Sequence, residues 1–301
     1  MNTAIDINTK FITLIGNPLH QSFAARMQNA GYEAAGLNLK YFYTETDDTH
    51  LEQIINGIRY MPSFVGCAIT KPNKVKVIQY LDALDPLCKK MGACNTVVRT
   101  SDNRLIGYNT DCMGFYKSIE NETGFQIDGS TCFCIGAGGA GRAICSALAY
   151  KGAKEVYITD KIERSAFDLM DDINLNFGSV TQFIPFGDYS RIRECSMVIN
   201  ASGMGMGKTI GQSPLPEDYI DSSQFYFDAC YNPAKTQFLI NAESKGCKIL
   251  NGLGMSLYQG VAQIEIWTGK PAPVEAMRAE LIRITEEKQL NSVPVIERER
   301  G

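Results

Sequence analysis

From residue 10 onward, short apolar β-rich runs alternate with stretches of helical periodicity. KFITLIG (10–16) reads as a strand, and the helical pattern of ARMQNAGYEAAG follows it after a loop. KYFYTE (40–45) is a second strand, with a helix over THLEQIINGIRYM; FVGCAIT (64–70) is a third, with a helix expected from about Lys74. NTVVRT and RLIGYN flank Ser101-Asp102-Asn103 as a hairpin. Near residue 129 the pattern restarts with TCFCI, a glycine-rich turn, a helix through RAICSALAYKG, and EVYITD. QFIPF, SMVINA, FYFDA and CKILN are further strand candidates. Such alternation predicts an α/β protein built on parallel sheets.

Two restarts predict two α/β domains, with the boundary near residues 112–128. The helical stretches 255–268 and 272–288 have no strand after them and would pack back on the first domain. That makes the first domain discontinuous, residues 1–113 completed by 255–301, around a second domain at 114–254. The tail QLNSVPVIERERG is expected to fray.

Composition narrows the class. Of 301 residues 45% are hydrophobic and 21% charged, which places the chain among globular proteins. A net charge of -4, with both signs interspersed, argues against a nucleic-acid partner. The ten cysteines form no C-x-x-C and mostly sit in apolar runs, so they read as reduced core residues of a cytosolic protein. With His20 and His50 the only histidines, no metal site is expected. The start, MNTAIDINTKF, shows no basic-then-apolar leader, and no apolar run is long enough to span a membrane.

The glycine-rich turn is Gly136-Ala137-Gly138-Gly139-Ala140-Gly141, a G-x-G-x-x-G match. Alone it is weak, but it follows a strand and opens a helix, the context of a dinucleotide fingerprint. Gly136 would permit the tight turn, Gly138 the approach of the pyrophosphate, and Gly141 close packing of helix on strand. Asp160 closes EVYITD, 24 residues after Gly136, where a carboxylate accepts from the ribose hydroxyls of NAD and repels a 2′-phosphate. A helix N-cap is the other use for an aspartate here. NAD is therefore the favoured cofactor, with NADP open because Lys161 and Arg164 lie close by.

Lys71 and Lys74 lie in Thr70-Lys71-Pro72-Asn73-Lys74, after the third strand, where open α/β sheets bind ligands. Pro72 suits the first turn of a helix, which would set Lys74 near a helix start, where the dipole disfavours its charge. Asn95-Thr96 and Asn109-Thr110-Asp111 occupy strand ends, and singly each reads as an ordinary turn or cap.

Taken in order, the motifs say more. Gly-Asn-Pro…Ser, Thr-x-Pro-x-Lys, Gly-Ala-x-Asn-Thr, Asn-Thr-Asp and the glycine turn precede Asn200-Ala201-Ser202-Gly203-Met204-Gly205-Met206, Tyr231-Asn232-Pro233 and Gly254-Met255-Ser256-Leu257-Tyr258-Gln259-Gly260. This series, spanning residues 11 to 285, resembles the shikimate dehydrogenase family. Pro-Asn-Lys and Trp267-Thr268-Gly269-Lys270 are most similar to its quinate/shikimate branch. The resemblance implies a discontinuous substrate domain and a Rossmann domain with the active site between them. It implies Lys74 and Asp111 as the catalytic pair, and Ser22, Thr70, Asn95, Tyr231 and Gln259 as contacts to a carboxylated cyclohexane polyol. Asn200 and Gly254 join the glycine turn (Gly136, Gly138, Gly139, Ala140, Gly141) and Asp160 at the cofactor. Family members are cytosolic and often homodimeric.

Two positions depart from the family pattern. Where the family has Ser-x-Ser-Pro, this chain reads Ser22-Phe23-Ala24-Ala25, and an asparagine common two residues before Thr70 is Ala68. The expected reaction is reversible hydride transfer between a ring alcohol and a nicotinamide, with shikimate or quinate as substrate. A dehydrogenase of another cyclohexane acid, such as aminoshikimate, is the nearest rival. A methylenetetrahydrofolate dehydrogenase would want tyrosine where Thr70 stands, and a non-catalytic sensor would not need Lys74 and Asp111.

Overall fold

The computed structural model describes residues 5–20 and 22–292. Two six-stranded sheets, each flanked by helices, make up the chain. The first half runs β1 (Lys10–Gly16), α1 (Ala24–Ala34), β2 (Leu39–Glu45), α2 (Leu51–Arg59), β3 (Phe64–Ile69), β4 (Ala83–Leu84), α3 (Pro86–Met91), β5 (Thr96–Arg99) and β6 (Leu105–Tyr108). A long helix, α4 (Thr110–Thr123), leads to β7 (Thr131–Ile135), α5 (Gly139–Tyr150), β8 (Glu155–Thr159), α6 (Glu163–Phe177) and β9 (Thr181–Phe183). Then come β10 (Met197–Asn200), β11 (Phe225–Asp228), α7 (Gln237–Ser244), β12 (Lys248–Asn251), α8 (Leu253–Thr268) and α9 (Val274–Ser292).

The first sheet has the order β2-β1-β3-β5-β6-β4, with the β5–β6 hairpin antiparallel, as its Asn103 turn predicts. Asn103 takes φ 64°, a left-handed value that Asn tolerates. The second sheet is parallel throughout in the order β12-β11-β10-β7-β8-β9. Counted from β7 this is the doubly wound 3-2-1-4-5-6 arrangement, and its topological switch lies between β7 and β10. The central strands are buried on both faces, which explains their near-continuous apolar runs.

Every strand read from the pattern is present, and α8 and α9 do return to the first sheet. Leu257, Val261, Ile264, Met277 and Leu281 share one core with Ile12, Leu14 and Tyr32. Trp267 donates its indole N–H to the Val97 carbonyl at 2.9 Å, fixing the end of α8 on β5.

The pattern misled in two places. No α-helix starts at Lys74: Pro72 follows a cis bond inside a run of turns, and only a short 3₁₀ stretch, Lys76–Tyr80, comes after. A dipole argument for Lys74 therefore has no helix to act from. The pattern also gives no helix where α4 runs: it fills most of the stretch 112–128, the expected boundary region, and its weak amphipathicity hides it. Residues 289–292 of the tail continue the backbone of α9. The remainder of that tail, and the first four residues of the segment read for a leader, lie outside the described residues. All ten cysteines are buried and free.

Gly66, on β3, lies directly against the Trp267 indole of α8. A Cβ there would stand 2.3 Å from the Val97 carbonyl oxygen and 2.6 Å from Trp267 Nε1. Gly66→Ala should cost about 1–3 kcal/mol by overpacking, read as a lower urea midpoint at unchanged slope. An unaltered midpoint would show that the sheet and α8 can separate freely.

Candidate active site

Lys74 and Asp111 come together by three local devices. The Lys74 carbonyl accepts from the Cys94 N–H at 2.8 Å, which ties the turn after β3 to the residue leading into β5. Asn109 caps α4, its side chain accepting from the Asp111 and Cys112 N–H groups. Asp111 thereby sits in the first turn, where the helix dipole favours a carboxylate. Lys74 Nζ then donates to Asp111 Oδ2 at 2.6 Å, and Asn95 Nδ2 donates to Asp111 Oδ1 at 2.8 Å. With a third of its side chain exposed, Lys74 reaches solvent while Asp111, at 15%, stands behind it.

Lys74 opens into a cavity of about 170 Å³ beneath α8. Ser22, Thr70, Asn95 and Gln259 line it with Lys74. Ser256 and Gln263 join them, neither of which was singled out in the sequence. Gln263 lies one helical turn beyond Gln259, so the i, i+4 spacing was the available signal. One wall is apolar, made by Leu14, Met27, Ala24 and Ala68. The two departures from the family pattern therefore both fall on the cavity surface. Ser22 Oγ accepts from the Ala24 N–H at 3.3 Å. Tyr231 lies one step away, edge-on to Phe23 with ring centroids 5.9 Å apart. Burial pushes its hydroxyl up to about 12, so it stays a neutral donor at ordinary pH.

Tyr231 and Phe23 also line a larger cavity of about 610 Å³, shared with Ala140, Ala201, Ser202 and Gly203. It lies at the switch point between β7 and β10. A neighbouring cavity of about 400 Å³ holds Gly136, Asp160, Lys161, Ser202 and Gly203. The glycine turn fits a dinucleotide residue by residue. Gly136 has φ 115°, and a Cβ there would meet the Ala201 backbone at 2.5 Å. At Gly141 a Cβ would be 2.0 Å from the Gly136 oxygen, so the helix can close on the turn only with glycine. Gly138 faces open space, no side chain caps α5, and Gly139, Ala140 and Gly141 form its first turn. Such a helix start suits a pyrophosphate.

Asp160 caps no helix. Its carboxylate accepts from the Ala137 N–H at 2.7 Å and from the Ile162 N–H at 2.8 Å, so it braces the turn from the end of β8. Asn200 is fully buried and works from behind. It donates to the Met204 carbonyl and Asp228 and accepts from the Ser202 N–H and hydroxyl, which shapes the loop that lines both cavities. Asp228, passed over in the sequence, anchors that loop; burial raises its pKa against bonds from Thr236, the Cys230 N–H and Asn200. Gly254 lies against α4, where a Cβ would meet Ser118 Oγ at 2.4 Å, so helix packing explains this glycine without a cofactor contact.

A doubly wound sheet with a glycine fingerprint, beside a polar cavity holding a lysine–carboxylate pair, defines a two-domain dinucleotide-dependent dehydrogenase. Family models agree: the shikimate dehydrogenase substrate binding domain matches residues 14–97, and the shikimate 5'-dehydrogenase C-terminal domain matches residues 252–282. Shikimate dehydrogenase (NADP(+)) of Moorella thermoacetica is 36% identical, over 91% of this chain and 92% of its own. The chain belongs to the shikimate dehydrogenase family. Three solved structures share the fold. Shikimate 5-dehydrogenase from Listeria monocytogenes, in complex with shikimate and NAD, has TM-score 0.87 and 34% identity, covering 92% of this chain and 98% of its own. Quinate dehydrogenase from Corynebacterium glutamicum, in complex with NAD, has TM-score 0.86 and 27% identity, covering 91% and 99%. The 5-ketofructose reductase of Gluconobacter sp. strain CHM43 has TM-score 0.83 and 29% identity, covering 93% and 100%. Among the described residues no helix is long and apolar enough to cross a membrane, and no cluster suits a metal ion.

Lys74→Ala should cut kcat by about 10²–10⁴-fold, the usual worth of general acid–base catalysis. Substrate affinity should change little, because the proton moves in the transition state. Turnover near wild type would remove Lys74 from the chemistry.

Proposed function

We propose that this protein is a shikimate or quinate dehydrogenase, interconverting the ring alcohol and ketone of a carboxylated cyclohexane polyol with NAD(P). The observation that carries this is the Lys74–Asp111 pair, 2.6 Å apart, opening into a hydroxyl- and amide-lined cavity. The nicotinamide cofactor supplies hydride exchange. Gly136, Gly138, Gly139, Ala140 and Gly141 would hold its phosphates and Asp160 its ribose. In oxidation, Lys74 and Asp111 take the hydroxyl proton of the reacting carbon; in reduction they return it. Thr70, Asn95 and Gln259 orient the hydroxyls, and Ser22 with Tyr231 donates to the carboxylate. The substrate unit comprises residues 1–113 and 255–301, and the cofactor unit 114–254. A cytoplasmic homodimer, with no nucleic-acid partner, completes the proposal. Shikimate and quinate, each with NAD and NADP, form the deciding assay, read as reduced nicotinamide. Inertness to both acids would sink the substrate assignment.

A second reading has support from one wall of the cavity. Ala24 and Ala68 remove two polar groups that the family pattern places there, and a relative of similar fold is named for 5-ketofructose. A polyol lacking the carboxylate, or another cyclohexane acid, would then be the better substrate. Ala24→Ser separates the readings. A hydrogen bond to a charged group is worth about 1.5–3 kcal/mol, or roughly 10–100-fold in KM. If the acid is native, the variant should lower KM for shikimate or quinate by up to that factor at constant kcat. If the cavity has been cleared for something else, the acids gain nothing and the native substrate binds less well.

NAD should be preferred over NADP, because Asp160 borders the cavity beside Gly136 and opposes a 2′-phosphate. Asp160→Asn should weaken use of NAD and narrow the gap. Wild-type preference for NADP would mean that Lys161, in the same cavity, outweighs the carboxylate.

A further inference from the structure

Behind the acid–base pair runs a line of buried amides and hydroxyls that ends at Gln28 on α1. Asn95 Oδ1 accepts from Thr110 N at 2.7 Å, Thr96 Oγ1 at 2.9 Å and Thr110 Oγ1 at 3.2 Å. Thr96 Oγ1 accepts from Gln263 Nε2 at 3.0 Å. Gln263 Oε1 accepts from Gln28 Nε2 at 3.0 Å, and Gln28 Nε2 also donates to the Gly260 carbonyl at 3.2 Å. All these residues are at most 4% exposed.

The direction of the line is fixed at both ends. The Gly260 carbonyl can only accept, so Gln28 must present its NH₂ group there. One proton goes to Gly260 and the other to Gln263 Oε1, which turns the Gln263 NH₂ toward Thr96. At the other end the Thr110 N–H can only donate, so Asn95 must present its oxygen to it. Asn95 then has only its NH₂ left for Asp111. Each of Gln28, Gln263, Thr96 and Asn95 thus passes a donor on toward the carboxylate, Thr96 either directly to Asn95 or by way of the Thr110 hydroxyl 3.1 Å away, and aligned hydrogen bonds polarise one another.

We infer that Gln28, Gln263 and Thr96 are positioning residues for the reaction, acting through Asn95 to hold Asp111 oriented against Lys74. The inference rests on reading Lys74 and Asp111 as the acid–base pair. Thr96 and Gln28 do not line the substrate cavity, and Thr96 is the cleanest probe, because Gln28 also donates to the carbonyl of Gly260, which does line it. Gln263 borders the cavity as well, and is the less clean probe.

The test compares Thr96→Val with Thr96→Ser, and Gln28→Met with wild type, on whichever acid the wild type turns over. Thr96→Val and Gln28→Met should each lower kcat about tenfold, a part of the general acid–base contribution. KM should stay within about twofold, and Thr96→Ser should restore kcat because it keeps the hydroxyl. The Gln28→Met/Thr96→Val double variant should lose no more than the worse single one, since both break one series. A second readout needs no turnover. Labelling of Lys74 by an amine-reactive reagent, located by mass spectrometry, should quicken severalfold in Thr96→Val and Gln28→Met but not in Thr96→Ser. A fall in melting temperature with kcat and labelling unchanged would reduce the line to a stability element and overturn the inference. So would multiplicative losses in the double variant. Failure of the function reading looks different: an inert wild type, or Lys74→Ala at full activity.

Discussion

The close crossing of α4 and α8 is the constraint on which the site depends. Each helix carries a glycine where the other presses. A Cβ on Gly114 would lie 2.4 Å from the Met255 carbonyl, and one on Gly254 would lie 2.4 Å from Ser118 Oγ. The N-terminus of α4 sets Asp111 behind Lys74, and α8 supplies Gln259 to the cavity wall. Helix axes this close leave little slack, because packed interiors resist deformation. The placing of Asp111 relative to Gln259 therefore depends on backbone contact between the two helices.

That arrangement buries polar groups in a medium where an unmatched one costs about 1–3 kcal/mol, and most but not all of them are matched: Ser118 Oγ at the crossing and Gln28 Oε1 have no partner. Asn95 is matched by accepting three donors at one oxygen and giving its NH₂ to Asp111. The same logic runs in the second domain, where Asn200 and Asp228 satisfy one another and the loop above them. In both places a buried asparagine converts strand ends into a fixed surface. Catalysis gains from groups that need not reorganise when charge moves.

How much of this was legible in the chain varies with the kind of physics involved. Strands were visible because doubly buried β-runs are apolar end to end, and the glycine turn because steric demands at Gly136 and Gly141 admit no other residue. The helix expected at Lys74 failed because proline fixes a local backbone angle without saying which turn it serves; here Pro72 lies among turns. α4 was missed because its buried face contains Thr110, Gly114 and Ser118, small or polar residues that break an apolar stripe. Asp160 comes directly after β8, and its bond to the Ala137 N–H joins segments 23 residues apart, which no local pattern reports.

Gln259 and Gln263 tie the cavity wall to the buried line behind Asp111 through a single helix. They stand one turn apart on the same face of α8, with Ser256 and Gly260 completing the stripe at the cavity wall. Gln259 faces the cavity, while Gln263 reaches past it to Thr96. Gly260 lets α1 approach: a Cβ there would be 2.3 Å from Met27 Cε and 3.2 Å from Gln28 Nε2. Any rotation of α8 that enlarged the substrate cavity would also drag Gln263 off Thr96 and Gln28 off the Gly260 carbonyl. Changes of substrate are thus confined to side chains that leave α8 where it is. Ala24 and Ala68 are of that kind, since they sit on α1 and β3 and alter the cavity wall without touching the buried line.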